Sequence, residues 1–365
     1  MSEEAALKEI FNAERFRHVA KETKAVYPEF DSKRFLAATL PGLDELGIMQ
    51  RMRRMAEGLH ATLPGDFRKA VGILRLLAPR INRGFVTLVL SDYVGLYGQK
   101  HFAFSLDALK FFTPFGSSEF AIREYLRLDL ARTLAVMEKW SLDQDEHVRR
   151  LASEGCRPRL PWSFRLDDLV LDPSPTAKIL DNLRADPSLY VRKSVANHLN
   201  DITKDHPTWV LDRIESWDLT NPQTAWIAKH ALRTLIKKGD RRALAVIGAG
   251  EKPRVKVHDL AISPRHVVLG ESITLSFRLE SLAAREQRLV VDYAIHYVKK
   301  SGATSAKVFK LKELTLPARG SASISRRQSI RDFTTREHHP GLHQIDILIN
   351  GELCGTDSFD LARPH

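Results

Sequence analysis

The chain has 365 residues, enough for two or three domains, and 43% of them are hydrophobic, which supplies sizeable cores and excludes a largely disordered chain. Fifty-six Lys and Arg against 45 Asp and Glu leave a net charge of +11, favouring an acidic partner, nucleic acid or an anionic membrane surface, without choosing between them. The two cysteines, Cys156 and Cys354, lie far apart without His or Cys at ligand spacing; a disulfide framework, zinc finger or iron–sulfur site is excluded and a reducing cytoplasm fits.

The start, Met1-Ser2-Glu3-Glu4, is acidic where a signal peptide would be basic, so export is not expected. Apolar residues then recur at helical spacing, as in Ile48, Met52, Met55, Leu59 and in Phe67, Ala70, Val71, Leu74, Leu77. The most apolar stretch, Gly84 to Gly98, is short and interrupted by Asp92, which argues against a membrane span. Helical spacing continues to about Lys252, and the breaker-rich Gly248-Ala-Gly-Glu-Lys-Pro-Arg254 reads as a linker. After it the pattern alternates, at 272–279, 288–298, 307–311 and 343–350. Ser301-Gly302, Ala318-Arg-Gly320, Pro340-Gly341 and Asn350-Gly351 separate these strands as turns, and Asn350-Gly351 is a hairpin signal. The expected fold is multidomain α plus β: an all-α HEAT-like solenoid over 1–252, then an immunoglobulin-like β-sandwich over 253–365.

The solenoid reading rests on a weak repeat. Segments starting at Asp145, Asp186 and Ala225 align at Val148, Val191 and Ile227, near the length of one HEAT-type helical pair. An ordinary helical bundle with chance similarity is the alternative. In this register Arg150, Lys193 and Lys229 are equivalent, and Glu154, Asn197 and Arg233 follow one turn later. Asp201 and Lys237 lie a further turn on, while Glu119, Arg123 and Arg127 repeat the arrangement upstream. The opposite positions, Val148, Leu151, Ala152, Val191, Val195, Leu199, Leu232 and Leu235, must be core. The polar stripe is mostly basic and suits phosphates; a solvated outer face would look similar.

Three carboxylates in that stripe, Glu119, Glu154 and Asp201, ask for a second explanation, because acids repel phosphate. A cationic centre on the ligand supplies one. Each also has a structural reading: Glu119 precedes Arg123 by four near a helix start, Glu154 follows Arg150 by four, and Asp201 could be a terminal turn acid. Trp162, in Arg157-Pro-Arg159-Leu-Pro-Trp162, sits on a proline-stiffened loop with two arginines, suited either to stacking beside a phosphate backbone or to core packing. His147, His198 and His230 lack evident ligand partners and read as packing or surface residues. Arg326-Arg327 and Arg336-Glu-His-His339 could grip DNA, or be solvated loops.

Thr113-Pro-Phe-Gly-Ser-Ser-Glu119-Phe-Ala-Ile-Arg123, His147-Val-Arg-Arg-Leu-Ala-Ser-Glu154-Gly-Cys-Arg157-Pro-Arg-Leu-Pro-Trp162 and Asp186-Pro-Ser-Leu-Tyr-Val-Arg-Lys-Ser-Val-Ala-Asn197-His-Leu-Asn-Asp201 resemble the AlkC branch of the AlkD/AlkC HEAT-repeat DNA alkylation glycosylases. The resemblance covers the helical part; the strand-rich part resembles the immunoglobulin-like extension of some members. It implies excision of 3-methyladenine and 3-methylcytosine from duplex DNA, leaving an abasic site, without flipping the base into a pocket. A monomer in the bacterial cytoplasm, associated with the nucleoid, is expected, with no cofactor and no metal, since no His-Glu or paired-Asp ligand motif appears. Matching motifs imply Glu119, Glu154, Trp162 and Asp201 as active-site residues and Arg150 and Arg157 as backbone contacts. Arg123, Arg159, Lys193, Asn197, Lys229 and Arg233 complete the expected DNA-binding set. A non-catalytic HEAT-repeat nucleic-acid-binding or scaffold protein is the other reading, one that would need no carboxylate cluster.

Overall fold

The computed structural model describes residues 7–81, 84–332 and 337–363. The acidic start at Met1-Ser2-Glu3-Glu4 and the proposed grip at Arg336 lie outside them. The chain forms two compact units, Met1–His206 with Leu219–Ile227, and Pro207–Asp218 with Ala228–His365.

In the first unit the helices are α1 (Ala13–Val26), α2 (Ser32–Thr39), α3 (Ile48–Thr62), α4 (Phe67–Leu77), α5 (Leu88–Tyr97), α6 (Phe102–Phe112), α7 (Ile122–Leu128), α8 (Leu130–Trp140), α9 (Glu146–Glu154), α10 (Asp167–Leu171), α11 (Ala177–Asn182) and α12 (Leu189–Ile202). Short polar side chains set their starts: Asp31, Asp66, Asp129 and Asp145 accept from the backbone N–H of Arg34, Lys69, Arg132 and His147. The apolar stripes face inward; Met52, Met55, Leu59, Ala70, Val71, Leu74 and Leu77 are buried. The apolar stretch after Gly84 becomes a 3₁₀ turn and α5, buried from Leu88 to Gly95. Asp92 is tolerated there because Arg53 holds it through two hydrogen bonds of 2.8 and 3.0 Å. Among the described residues no helix is long and apolar enough to cross a membrane.

α9 packs on α12, and the register is that of the repeat: Val148 and Val191 are both buried, as are Leu151, Ala152, Val195 and Leu199. His198 on α12 fixes the pairing, its Nδ1 lying 3.0 Å from the Ser153 carbonyl. His198 is fully buried, and burial, with Arg157 and Arg123 nearby, pushes its pKa down to about 3. A neutral ring that donates from Nδ1 meets both conditions.

The second unit carries β1 (Val255–Ser263), β2 (His266–Val268), β3 (Ser272–Ser281), β4 (Gln287–Val298), β5 (Thr304–Leu316), β6 (Ser321–Ser329), β7 (Gly341–Ile349) and β8 (Glu352–Ala362). One sheet runs β1-β3-β6 and the other β2-β8-β7-β4-β5; β2 pairs parallel with β8 and every other pairing is antiparallel. Alternate residues of β3 (Ile273, Leu275, Phe277, Leu279) meet those of β4 and β7 (Leu289, Val291, Tyr293, Ile295; Ile345, Ile347, Ile349) in the core. The β7–β8 hairpin turns at Asn350 and Gly351, both at positive φ, 48° and 78°. Three further helices belong to this unit: α13 (Pro207–Glu215), α15 (Arg233–Lys237) and α16 (Arg241–Val246), while α14 (Pro222–Ala231) runs from one unit's residues into the other's.

Candidate active site

The three carboxylates singled out in the sequence come together in the first unit, joined by two arginines. Arg150 on α9 pairs with Glu119 and stands 3.5 Å from Glu154 Oε1. Arg157, three residues beyond α9, donates to the same Oε1 at 2.6 Å and reaches Asp201 Oδ2 through Nε at 2.9 Å. The result is an alternating row, Glu119–Arg150–Glu154–Arg157–Asp201, with Lys204 Nζ at 3.2 Å from Asp201 at its far end. Both arginines use Glu154 Oε1, so Oε2 carries neither. The row is partly withdrawn from water: side-chain exposures are 16% for Glu119, 15% for Arg150 and 7% for Glu154 and Asp201. Burial alone would lower the pKa values of Arg150 and Arg157, but the surrounding carboxylates outweigh it and hold both above the ordinary value.

Each member is placed by a local cause. Glu119 lies in the turn before α7, its carboxylate accepting from Ser117 Oγ at 3.2 Å. The ion pair expected with Arg123 does not form. Glu154 closes α9, and Gly155 lets that end approach α7: a Cβ at Gly155 would stand 2.4 Å from Ile122 Cγ2. Asp201 belongs to the last turn of α12. Ser117, Tyr190 and Lys204 complete the surroundings and escape the sequence argument; Arg150 lies over the Tyr190 ring, 5.0 Å from its centroid.

Arg123 corrects the expected binding stripe. It is fully buried, and its guanidinium donates to the carbonyls of Gly155 at 3.0 Å, Arg157 at 2.7 Å and Phe164. Desolvation drops its pKa to about 10. Such a side chain cannot reach DNA; it holds the loop 155–164 in shape. On that loop Trp162 is 59% exposed, at φ 64°, touching Phe85 edge-on at 6.0 Å. Core packing is therefore excluded for Trp162.

The other expected binding residues scatter. Arg150 and Arg157 sit between carboxylates rather than projecting from them. Arg159 pairs bidentately with Asp205 at 2.8 Å. Lys193 is exposed and Asn197 half-buried on α12. Lys229, in the second unit, is tied to Glu313 of β5 at 2.6 Å, and Arg233 is exposed and donates to the His230 carbonyl. Arg127, upstream, pairs with Glu124 on its own helix. Register equivalence thus does not give equal availability, because neighbours outside the repeat claim some of the cations.

Among the described residues no group of three His, Cys, Asp or Glu side chains could hold a metal ion. The chemistry on hand is that of ordered carboxylates, with an exposed indole on the loop that Arg123 braces.

The comparisons with known proteins agree with this geometry. A family described as DNA alkylation repair enzyme matches residues 113–235, the span that holds the whole row, and one described as the C-terminal Ig-like domain of the uncharacterised protein YhaZ matches residues 256–363. The uncharacterised protein YhaZ of Bacillus subtilis is 44% identical over 98% of this chain and 99% of its own length. The solved structure of the Pseudomonas fluorescens alkylpurine DNA glycosylase AlkC, bound to DNA containing an abasic site analog, is 59% identical, covers 98% of this chain and 99% of that one, and superposes with a TM-score of 0.96. With the same two-domain architecture over nearly its full length, the chain belongs to the AlkC branch of the AlkD/AlkC HEAT-repeat DNA alkylation repair glycosylases.

Proposed function

We propose that the protein is a monofunctional DNA glycosylase that removes cationic N-alkylated bases, 3-methyladenine and 3-methylcytosine, from duplex DNA by hydrolysis of the N-glycosidic bond, without flipping the base. It acts as a monomer in the bacterial cytoplasm beside the nucleoid, with the chemistry carried by the helical part, 1–252. The observation that carries the reading is the row of three carboxylates held by two arginines, with Trp162 exposed on the loop that follows Arg157.

An alkylated base that already bears a positive charge leaves without being protonated. The remaining barrier is the charge that develops on C1′ and the ring oxygen as the bond breaks. Glu119 and Glu154, fixed in place before the reaction, stabilise that oxocarbenium character, and one of them accepts the proton of the attacking water. Arg150 and Arg157 keep the acids from moving apart. Trp162 covers the deoxyribose and excludes bulk water, which strengthens the carboxylates' field. Asp201 acts through Arg157, to which it is bound. Neutral bases keep their large barrier and are spared.

The test is duplex oligonucleotide carrying one 3-methyladenine or 3-methylcytosine, incubated with the protein and then heated in alkali to cleave abasic sites. Lesion-dependent cleavage by the parent, lost in Glu154→Gln with little change in DNA affinity, is the expected result. A Glu154→Gln variant that turns over normally would remove Glu154 from the chemistry.

A further inference from the structure

A cavity of about 460 Å³ opens in the first unit. Its walls are Met49 on α3, Leu96 on α5, Phe120 beside Glu119, and Trp162 and Phe164 on the loop that Arg123 braces. Phe120 follows Glu119 and Trp162 stands five residues after Arg157, so the chain links the cavity to the row, whereas Glu119, Glu154 and Asp201 do not line it. The volume is in the range of small-molecule sites, and the mixture of aromatic walls with a few charged groups is typical of them.

The charged groups have a sign. Asp92, Glu57 and Glu124 line the cavity against Arg53 and Arg54. Arg53 is engaged by Asp92 through both carboxylate oxygens, and Arg54 donates to the Pro41 carbonyl at 2.6 Å. Burial alone would lower the pKa of Arg53, yet the Asp92 hydrogen bonds, with Glu57 and Glu124 close by, hold it above its ordinary value. Asp92 is taken by Arg53 and Glu124 by Arg127, so the cavity offers the Glu57 carboxylate and the Trp162 ring to a guest. A carboxylate beside an indole favours a flat heteroaromatic with N–H donors that protonates readily.

We infer that this cavity binds the free alkylated base, receiving it from the catalytic row past Trp162 once the glycosidic bond has broken. The inference rests on the excision reading for the origin of the base. A methylated adenine protonates more readily than adenine and presents its exocyclic amine to Glu57 while its ring lies against Trp162. Met49, on α3, lines the same cavity.

Titration calorimetry of the full chain with free 3-methyladenine, and with adenine as control, tests this without DNA. The expected result is binding of 3-methyladenine about tenfold tighter than adenine. Met49→Trp fills the cavity, which no carboxylate of the row lines, so it weakens that binding by about tenfold while single-turnover excision stays within about twofold. Glu57→Gln, exposed at the rim and harmless to folding, keeps the cavity open but narrows the preference over adenine. Equal binding of both bases, or 3-methyladenine binding untouched by both variants, overturns the proposal. Excision by a chain that binds no free base overturns the cavity alone; base binding by a chain that excises nothing overturns the glycosylase reading and leaves the cavity standing.

Discussion

Trp162 keeps more than half of its surface in solvent while its backbone sits at φ 64°, a conformation that side chains other than glycine adopt at a cost of about 1–3 kcal/mol. Packing does not require it, since its ring contact is a single edge against Phe85. The flanking structure over-determines the loop instead: Arg123 binds the carbonyls of Gly155, Arg157 and Phe164, and the Leu166 N–H returns to the Pro158 carbonyl at 3.1 Å. The strain therefore belongs to presenting the indole. Trp162→Gly should leave thermal stability within about 1 kcal/mol of the parent, or raise it, because glycine relieves the strained φ. The same variant should lose most excision. A drop in stability beyond about 2 kcal/mol in a denaturant titration would make Trp162 a packing residue and remove the argument. The indole's importance was legible in the sequence through its proline-bounded loop; the brace was not, because nothing in Ile-Arg-Glu-Tyr says that Arg123 turns inward to three carbonyls.

At the scale of the helix pair, α9 and α12 show what a repeat register can and cannot predict. Every position assigned to the core by the register is buried, from Val148 to Leu235, since apolar periodicity and burial have one cause. The polar stripe is different, because the fate of a cation depends on which acid lies across from it in space. Lys193 stays exposed, whereas its register equivalents are taken: Arg150 by Glu119 and Glu154, Lys229 by Glu313. Lys193→Ala should accordingly weaken DNA binding and reduce the slope of log K against log salt by about one. Lys229→Ala should leave that slope alone and cost less than about 1 kcal/mol of stability, the pair being partly exposed and Lys310 remaining on Glu313. Equal slopes for both variants would mean that the Lys229–Glu313 pair opens when DNA binds.

Across the whole molecule, legibility follows patterning. β3, β4 and β7 stand out because alternate residues enter the core, while β6 (Ser-Ala-Ser-Ile-Ser-Arg-Arg-Gln-Ser) carries few apolar residues and Gly-Thr-Asp-Ser interrupts those of β8; their strands form because β3 and β7 offer them ladders of backbone partners, continuous for β6 and with one shift between Ile347 and Leu348 for β8. One position in β4 also breaks the pattern with a consequence for stability. The register shifts between Val291 and Asp292, and the bulge leaves Asp292 buried at 5% exposure. Burial pushes its carboxyl up to about 6, opposed by Lys237 and Lys310 and reinforced by Glu313. A folded-state value above the unfolded one means that folding favours the protonated acid, so its contribution is complete below about pH 4 and is lost as pH rises through about 6. Asp292→Asn keeps an oxygen to accept the Leu311 N–H and removes the charge. The variant should stabilise the strand-rich unit by about 1–3 kcal/mol at pH 8, with the gain shrinking toward zero near pH 4. Paired denaturant titrations at the two pH values, followed by far-ultraviolet circular dichroism of the β signal, read this directly. A gain of equal size at both would show that burial does not shift the Asp292 carboxyl, and a loss at pH 8 would show that the Lys237 and Lys310 charges outweigh the burial and that Asp292 is held as the anion.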